Sequence, residues 1–189
     1  MHTQASDYMN FIKKMLPDYF KDKLVLDVGS GDINGNNRYL FDNCNYTGND
    51  VISAPNVDIV SKTKDLPYHT NYFDTIVSTE CFEHDPEYKQ SFLKIYDMLK
   101  HGGLFAFTCA STNRPEHGTR RTSPYDSYGT IGGLEDMSDY YKNLTINELS
   151  EVLPINEKFS EWRSYYNPQS CDLYFFGIKR LSIPEYHMN

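Results

Sequence analysis

Residues 23–35 read KLVLDVGSGDING, and this stretch decides the fold. Three apolar residues, Leu24 to Leu26, run directly into Asp27 and then into the turn Gly29-Ser30-Gly31. A short apolar run bounded by glycine is typical of a buried strand. A Gly-x-Gly turn after such a strand frees backbone amides for a ligand of the nucleotide class. The stretch therefore predicts a nucleoside-type ligand at the end of a buried parallel strand.

The charges around this turn narrow the ligand class. In the dinucleotide fingerprint G-x-G-x-x-G a pyrophosphate rests on the next helix, but here Gly35 falls one place late. Asp27 and Asp32 flank the turn, and both carboxylates would repel a pyrophosphate. They suit a ligand with positive charge and no phosphate, such as S-adenosyl-L-methionine. Asp50 ends the next predicted strand, where a carboxylate accepts hydrogen bonds from ribose hydroxyls.

Length and composition indicate one ordinary globular domain spanning residues 1–189. The chain is 39% hydrophobic and 23% charged, and its formal net charge of −8 disfavours binding to a nucleic-acid backbone. We expect no signal peptide and no membrane span, because no apolar segment approaches roughly 20 residues. The four cysteines are widely spaced with no C-x-x-C, which favours free thiols and a cytoplasmic location over a disulfide or zinc framework.

Strands and helices alternate along the chain. In residues 5–16, apolar side chains recur at helical spacing: Tyr8, Phe11, Ile12, Met15 and Leu16. A second amphipathic helix is predicted over Pro86–Lys100, with a core stripe of Phe92, Leu93, Ile95, Tyr96 and Leu99. Shorter helices are predicted over Asn36–Asn43 and from a capping box at Thr145-Ile146-Asn147-Glu148 to about Leu153. The predicted strands are Leu24–Val28, Tyr46–Val51, Val57–Val60, Phe73–Ser78, Leu104–Cys109, 157–166 and 171–179.

This alternation predicts an α/β fold, a Rossmann-like three-layer sandwich with a mainly parallel sheet. The last two strands are joined by a short turn, so we expect a C-terminal antiparallel hairpin at one edge. Only residues 52–56 separate the second and third strands, too few for a crossover helix. Either Val57–Val60 is a very short strand reached by an extended link, which we favour, or it lies outside the sheet.

Four segments in order resemble the class I S-adenosylmethionine-dependent methyltransferases over roughly residues 20–110. They are LVLDVGSG, YTGNDV, LPYHTNYFDTIVSTECFEH and LKHGGLFAFT. Family members resembling this chain carry Leu-Pro-Phe, a Phe-Asp pair, Glu-His and Lys-Pro-Gly-Gly. The corresponding residues here are Leu66-Pro67-Tyr68, Phe73-Asp74, Glu83-His84 and Lys100-His101-Gly102-Gly103. The resemblance implies a small-molecule methyltransferase that uses S-adenosyl-L-methionine.

The resemblance also implies roles for individual residues. Asp27, Gly29, Ser30 and Gly31 would shape the methionine end of the donor pocket, Asp50 would hold the ribose, and Thr79 and Glu80 would close the pocket. One departure concerns the adenine, because Lys62 stands where family members often carry an acid. Either Asp65 replaces that acid, or backbone groups of Thr63 and Lys64 bind the adenine alone.

Three of these residues also fit a purely structural role. Asp27 could cap the glycine turn by accepting backbone amides, and Asp50 could be a solvated carboxylate at a strand end. His84 could belong to the N-terminal cap of the helix that starts near Pro86, because Asp85-Pro86 is a good start signal.

Residues 110–144, here called the lid segment, show little apolar periodicity. A loop of this length in a compact domain is usually functional or disordered. It follows the strand that ends beside the methyl donor, so we interpret it as a substrate lid rather than a passive loop. Its arginines and tyrosines suit a polar, hydroxyl-rich acceptor such as a sugar or glycan precursor, or one carrying phosphate or carboxylate. The candidate substrate-binding residues are Arg114, Arg120, Arg121, Tyr125 and Tyr141.

The predicted reaction is methyl transfer to a small-molecule acceptor, with a histidine as the general base for a hydroxyl. His117 in the lid segment is the first candidate, because nearby arginines would keep it neutral, and His84 is the second. The spacing of His, Asp and Glu indicates no metal site made by the protein alone, and a metal bound jointly by protein and substrate stays open. Two other classes stay open, a nucleotide-binding oxidoreductase and a non-catalytic module that binds S-adenosylmethionine.

Overall fold

A computed structural model describes residues 2–182 of the chain, and strands alternate with helical segments along it. The helices are α1 Thr3–Met15, α2 Tyr88–Met98, α3 Tyr128–Ile131, α4 Ile146–Val152 and α5 Ile155–Lys158. The strands are β1 Leu24–Val28, β2 Asn45–Asp50, β3 Ile59–Val60, β4 Phe73–Thr79, β5 Leu99–Ala110, β6 Phe159–Asn167 and β7 Asp172–Lys179. Short 3-10 helices fill several of the connections.

The strands form one sheet in the order β3-β2-β1-β4-β5-β7-β6. The first five strands in this order pair in parallel, whereas β7 is antiparallel to both β5 and β6. The predicted parallel sheet and C-terminal hairpin are therefore confirmed. The third strand is only two residues long and pairs in parallel with β2, so the favoured extended link is correct.

Alternate side chains of the strands enter two separate cores, one on each face of the sheet. Ile76, Phe105 and Phe175 pack with α2, α4 and α5 on one face. Their neighbours Val77, Leu104 and Phe176 pack with α1 on the other. This arrangement gives the three layers of the predicted sandwich.

The two long helices bury fewer of their apolar side chains than predicted. Phe11 and Met15 of α1 are exposed, because the helix buries only the stripe Ala5, Met9 and Ile12. Leu93 of α2 is likewise exposed. The prediction of a helix through Lys100 is also wrong at its end, since Leu99 already pairs with Phe73 as the first residue of β5.

The first crossover differs from the predicted helix over residues 36–43. Only Arg38–Leu40 form a 3-10 turn there, preceded by the buried Asn37. The chain therefore leaves the glycine turn as a loop, which keeps the carboxyl ends of β1, β2 and β4 accessible. Within residues 2–182, no helix has the length and apolar character needed to cross a bilayer.

Candidate functional site

A cavity of about 210 Å³ lies at the carboxyl ends of the parallel strands. It opens where the strand order reverses, between β1 and β4, which is the usual ligand site of open α/β sheets. Its lining combines the glycine turn, the ends of β2 and β4, and the lid segment. Among the lining residues are Gly29, Ser30, Gly31, Asp50, Val51, Lys62, Thr63, Thr79, Glu80, Cys81, His84, Arg114, His117, Ser127, Tyr128 and Met137.

The glycine turn needs glycine at two positions for different reasons. Gly29 has φ +68°, and a Cβ there would lie 2.4 Å from the Cys81 sulfur. At Gly31 a Cβ would lie 2.2 Å from the ring of Tyr128, a lid residue whose hydroxyl donates to the Asp32 carbonyl at 3.0 Å. The lid segment therefore covers the glycine turn as well as the region beyond β5.

Asp50 lines the cavity and is anchored by two backbone amides. The amide of Gly31 donates to one carboxylate oxygen at 3.0 Å, and that of Val51 donates to the other at 2.7 Å. Burial raises the pKa of Asp50, and the two amides offset part of that effect. This is a fixed acceptor beside the glycine turn, and not the freely solvated carboxylate that was the structural alternative.

Asp27 is brought to the same region but does not line the cavity. It is 1% exposed, and it accepts hydrogen bonds from Asn37 at 3.2 and 3.3 Å and from the Tyr46 hydroxyl at 2.5 Å. Burial raises the pKa of Asp27 to about 7, against the opposing effect of these donors. Asp27 thus fastens the loop after the glycine turn to β2 through side chains, and the backbone-amide cap is not what is found.

The residues expected around an adenine separate into two groups. Thr63 is buried, lines the cavity, and donates to Asn49 at 3.3 Å. Asp65 lies outside the lining, exposed and paired with Lys64 at 2.9 Å. Lys62 lines the cavity, with its ammonium group on Glu87 and Asp136.

The end of β4 places the predicted residues Thr79 and Glu80 in the cavity lining. Thr79 accepts a hydrogen bond from Asn37 at 3.2 Å, and Glu80, at φ +53°, accepts one from Thr108 at 2.8 Å. Glu80 also faces His2, a residue that the sequence analysis missed. The His2 ring nitrogen lies 3.3 Å from Glu80 and 2.9 Å from the buried Asp172, and hydrogen bonds to these two acids raise the pKa of His2 to about 10.

The Glu-His pair after β4 is buried, and His117 meets it from the lid segment. The rings of His84 and His117 lie 5.0 Å apart, edge to face, and Tyr141 packs against both. Burial lowers the pKa of His84 to about 3. Ligand atoms of Glu83, His84 and His117 all lie within 4.8 Å of one another, a grouping that the spacing of these residues in the sequence did not indicate.

The lid residues predicted to bind substrate do not all reach the cavity. Arg114 lines it and is held by the Ser170 carbonyl at 2.6 Å and by Asp172 at 3.4 Å. The other four do not line it, and two of them are paired with acids on the surface. Arg120 binds Glu135 and Asp139, Arg121 binds Glu116 and Asp139, Tyr125 is exposed, and Tyr141 packs behind the histidines.

Residues 26–107 match a family model described as a methyltransferase domain. This match covers β1 to β5 and so includes the glycine turn, Asp50 and the Glu83-His84 pair. No curated protein sequence compared with the chain matches it.

Solved structures resemble the chain over most of its length. 1,6-Didemethyltoxoflavin-N1-methyltransferase of Burkholderia thailandensis, determined with S-adenosylhomocysteine, gives a TM-score of 0.63 at 16% identity over 94% of this chain and 79% of that one. Phosphoethanolamine N-methyltransferase 2 of Haemonchus contortus, with S-adenosyl-L-methionine, gives 0.61 at 16% over 93% of this chain and 52% of that one. An S-adenosylmethionine-dependent methyltransferase of Methanosarcina mazei gives 0.57 at 16% over 89% and 98%. At these identities the likeness shows a common fold, and this chain spans about half of the Haemonchus enzyme.

Proposed function

We propose, on the premise that residues 26–107 form a class I S-adenosylmethionine-dependent methyltransferase domain, that the chain methylates a hydroxyl of a polar small molecule, in the class of sugars or glycan precursors. One observation carries this proposal. One cavity is lined both by the glycine turn with Asp50 and by His84 with His117. The same cavity thus contains an acidic pocket for the nucleoside and side chains that can hydrogen-bond and deprotonate an acceptor hydroxyl.

The donor would lie across Gly29-Ser30-Gly31 with its ribose on Asp50. The Asp50 carboxylate is already fixed by two amides and lines the cavity, so it can accept ribose hydroxyls without rearranging. Val51, Thr63 and Cys81 line the neighbouring wall and are our candidates to enclose the adenine. Asp27 would act on this pocket indirectly, by fixing Asn37, which in turn donates to Thr79.

The chemistry demanded of the protein is chiefly alignment. A sulfonium is a good leaving group, so the chain must bring acceptor oxygen, methyl carbon and sulfur into line and exclude water. The lid segment suits this task because Tyr128 packs over Gly31 of the glycine turn, while Arg114 and His117 of the same segment also line the cavity. An acceptor carrying a carboxylate or phosphate would be oriented by Arg114.

The acceptor hydroxyl also has to lose its proton. His84 is a poor base because burial lowers its pKa to about 3. His117 is half-buried and lines the cavity, so it is the better placed histidine to act on the acceptor. A reducing, cytoplasmic compartment would suit the four free cysteines.

Turnover with a panel of polar acceptors tests the proposal. The protein is incubated with methyl-labelled S-adenosylmethionine and sugars, nucleotide sugars or amines, and the methylated atom is identified by mass spectrometry and NMR. We expect O-methyl products, and turnover lower by roughly a hundredfold or more in His117→Ala with unchanged affinity for S-adenosylhomocysteine. His69→Ala, an exposed histidine outside the cavity, is the matched control. Exclusive N-methylation would refute the hydroxyl assignment.

Binding separates the enzyme from the remaining classes. Calorimetric titration with NAD instead of S-adenosylhomocysteine would give heat only for a nucleotide-binding oxidoreductase. A module that binds the donor without catalysis would release no S-adenosylhomocysteine with any acceptor.

A further inference from the structure

Glu83 is a buried carboxylic acid with no side chain bound to it. Its exposure is 0%, and among residues 2–182 neither carboxylate oxygen finds a hydrogen-bond partner of acceptable geometry. The backbone amides of Glu83 and Ala110 offset only part of the burial, which together with the nearby Glu80 holds the pKa of Glu83 well above its usual range. Buried polar groups are nearly always paired, so an unpaired carboxyl group next to His84, which lines the cavity, points to a ligand.

His84 shows the same deficit at the next position in the chain. It is 6% exposed, and its buried Nδ1 has no partner in the part of the chain that the structure describes. His84 therefore offers an unpaired imidazole nitrogen next to the unpaired carboxyl group of Glu83. Both groups are common metal ligands.

The lid segment is shaped to bring the third ligand to this pair. Gly118, next to His117, has φ +70°, and a Cβ there would lie 2.6 Å from the His84 ring. Only glycine allows the lid backbone to pass this close, and the passage places the His117 ring 5.0 Å from that of His84. The closeness of the two histidines thus depends on glycine at position 118.

The donor set has a recognisable chemistry. Two imidazole nitrogens and one carboxylate oxygen, all within 4.8 Å of one another, can bind three positions of one ion and leave others open. Ligands about 2.1 Å from an ion lie at most about 4.2 Å apart. A small rotation of His117, which is half-buried on a loop, closes that difference.

A second group, His2 with Glu80 and Asp172, is a weaker candidate. Protonated His2 offsets one of the two carboxylates, and Arg114 on Asp172 offsets the other. Ion pairing alone therefore accounts for the positions of these side chains, without a bound metal ion.

We propose that Glu83, His84 and His117 bind a divalent transition-metal ion, of the Mn²⁺, Co²⁺ and Zn²⁺ type, at the acceptor end of the cavity. Ion binding stands on these three residues alone, whereas the role of the ion in catalysis rests on the proposed function. In that role the ion coordinates the acceptor oxygen and lowers the pKa of its hydroxyl. His117 then acts as a ligand, and not as a free base.

The step balances without any further reactant. The hydroxyl proton leaves to solvent, and an oxygen lone pair forms the new bond to the methyl carbon. The carbon–sulfur bond breaks with its electron pair going to sulfur, which gives neutral S-adenosylhomocysteine. The ion changes neither charge nor oxidation state.

Metal titration of the whole chain tests the proposal directly. Protein freed of metal by a chelator is titrated calorimetrically with Mn²⁺, and Co²⁺ binding is followed by its visible absorption. We expect one ion per chain, bound at least about tenfold more weakly in Glu83→Gln and in His117→Ala. The matched control His69→Ala should bind like the wild type, and His2→Ala should as well. Thermal unfolding checks that each variant is folded; Glu83→Gln is nearly isosteric and His117 is on a half-exposed loop.

Three results would overturn the proposal. They are no saturable binding of either ion, equal binding in Glu83→Gln and His117→Ala, and loss of binding in His2→Ala alone. S-adenosylhomocysteine is titrated into the same metal-free protein. Binding of this nucleoside without any metal binding would reject the metal site and leave the proposed function standing. Metal binding without nucleoside binding would do the reverse.

Discussion

Asp50 carries the donor assignment at the residue scale. Asp50→Asn removes a charged acceptor from the ribose hydroxyls, and a hydrogen bond to a charged group contributes roughly 1.5–3 kcal/mol. We therefore expect S-adenosylhomocysteine to bind about ten- to a hundredfold more weakly in a calorimetric titration. Asp65→Asn changes an exposed aspartate outside the cavity and should leave the affinity unchanged. Equal affinity in Asp50→Asn and the wild type would remove Asp50 from the donor site.

Gly29 offers a second test, with a control that isolates its cause. Gly29→Ala forces φ +68° on a residue with a Cβ and presses that Cβ to 2.4 Å from the Cys81 sulfur. Gly133→Ala imposes nearly the same φ, +65°, with no atom within 4 Å. Each variant should lose about 1–3 kcal/mol of unfolding free energy by strain, measured in urea. Only Gly29→Ala should also lose affinity for S-adenosylhomocysteine. Similar losses of this affinity in both variants would contradict the close contact between Gly29 and Cys81.

Asp27 makes a pH-dependent contribution to stability. Burial raises the pKa of Asp27 from 3.8 to about 7, so between these values the folded chain keeps a proton that the unfolded chain has released. Rising pH therefore lowers the free energy of unfolding by about 1.4 kcal/mol per pH unit in this window. Asp27→Asn does not titrate, so the wild type should lose stability relative to this variant from pH 4 to pH 7. Parallel pH curves for the two proteins in urea unfolding would contradict the buried, uncharged Asp27.

The lid segment is the element whose behaviour matters most for function. Its regular structure is limited to a 3-10 turn at Pro124–Asp126 and to α3, whereas β5 is paired on both sides. We expect amides in residues 111–141 to exchange with deuterium faster than those of β5 and β7. Donor and acceptor together should slow them, because Tyr128 and His117 both line the cavity. Equal protection in the lid segment and the strands, with and without ligands, would refute a closing lid.

Elements were predictable where local chemistry decides them. The capping box at Thr145 and Glu148 forms as expected, and the hairpin of β6 and β7 follows from alternation and a short turn. The end of α2 was not predictable from the local sequence, because Leu99 fits either the apolar stripe of a helix or a buried strand. Only its pairing with Phe73 places Leu99 in β5. A short helix was predicted over residues 36–43, but buried hydrogen bonds from Asn37 to Asp27 and Thr79 hold them as a loop.

For the whole molecule, the sequence predicts the donor half of the site better than the acceptor half. Glycines and an acid at strand ends meet at one sheet edge by topology alone, which is why Gly29, Gly31 and Asp50 line the cavity together. The acceptor half depends on how the lid segment folds back. His2 and Asp172 come from distant parts of the chain, and surface acids divert Arg120 and Arg121. The spacing of residues in the sequence does not predict these long-range contacts.

A crystal structure of the protein with S-adenosylhomocysteine tests the central claim most directly. The claim is that the donor crosses the glycine turn and presents its sulfur to His84 and His117, which line the same cavity. We predict ribose hydroxyls on Asp50, adenine beside Val51 and Thr63, and the sulfur facing the two histidines. A nucleoside bound outside this cavity, or one whose sulfur points away from His117, would contradict the account.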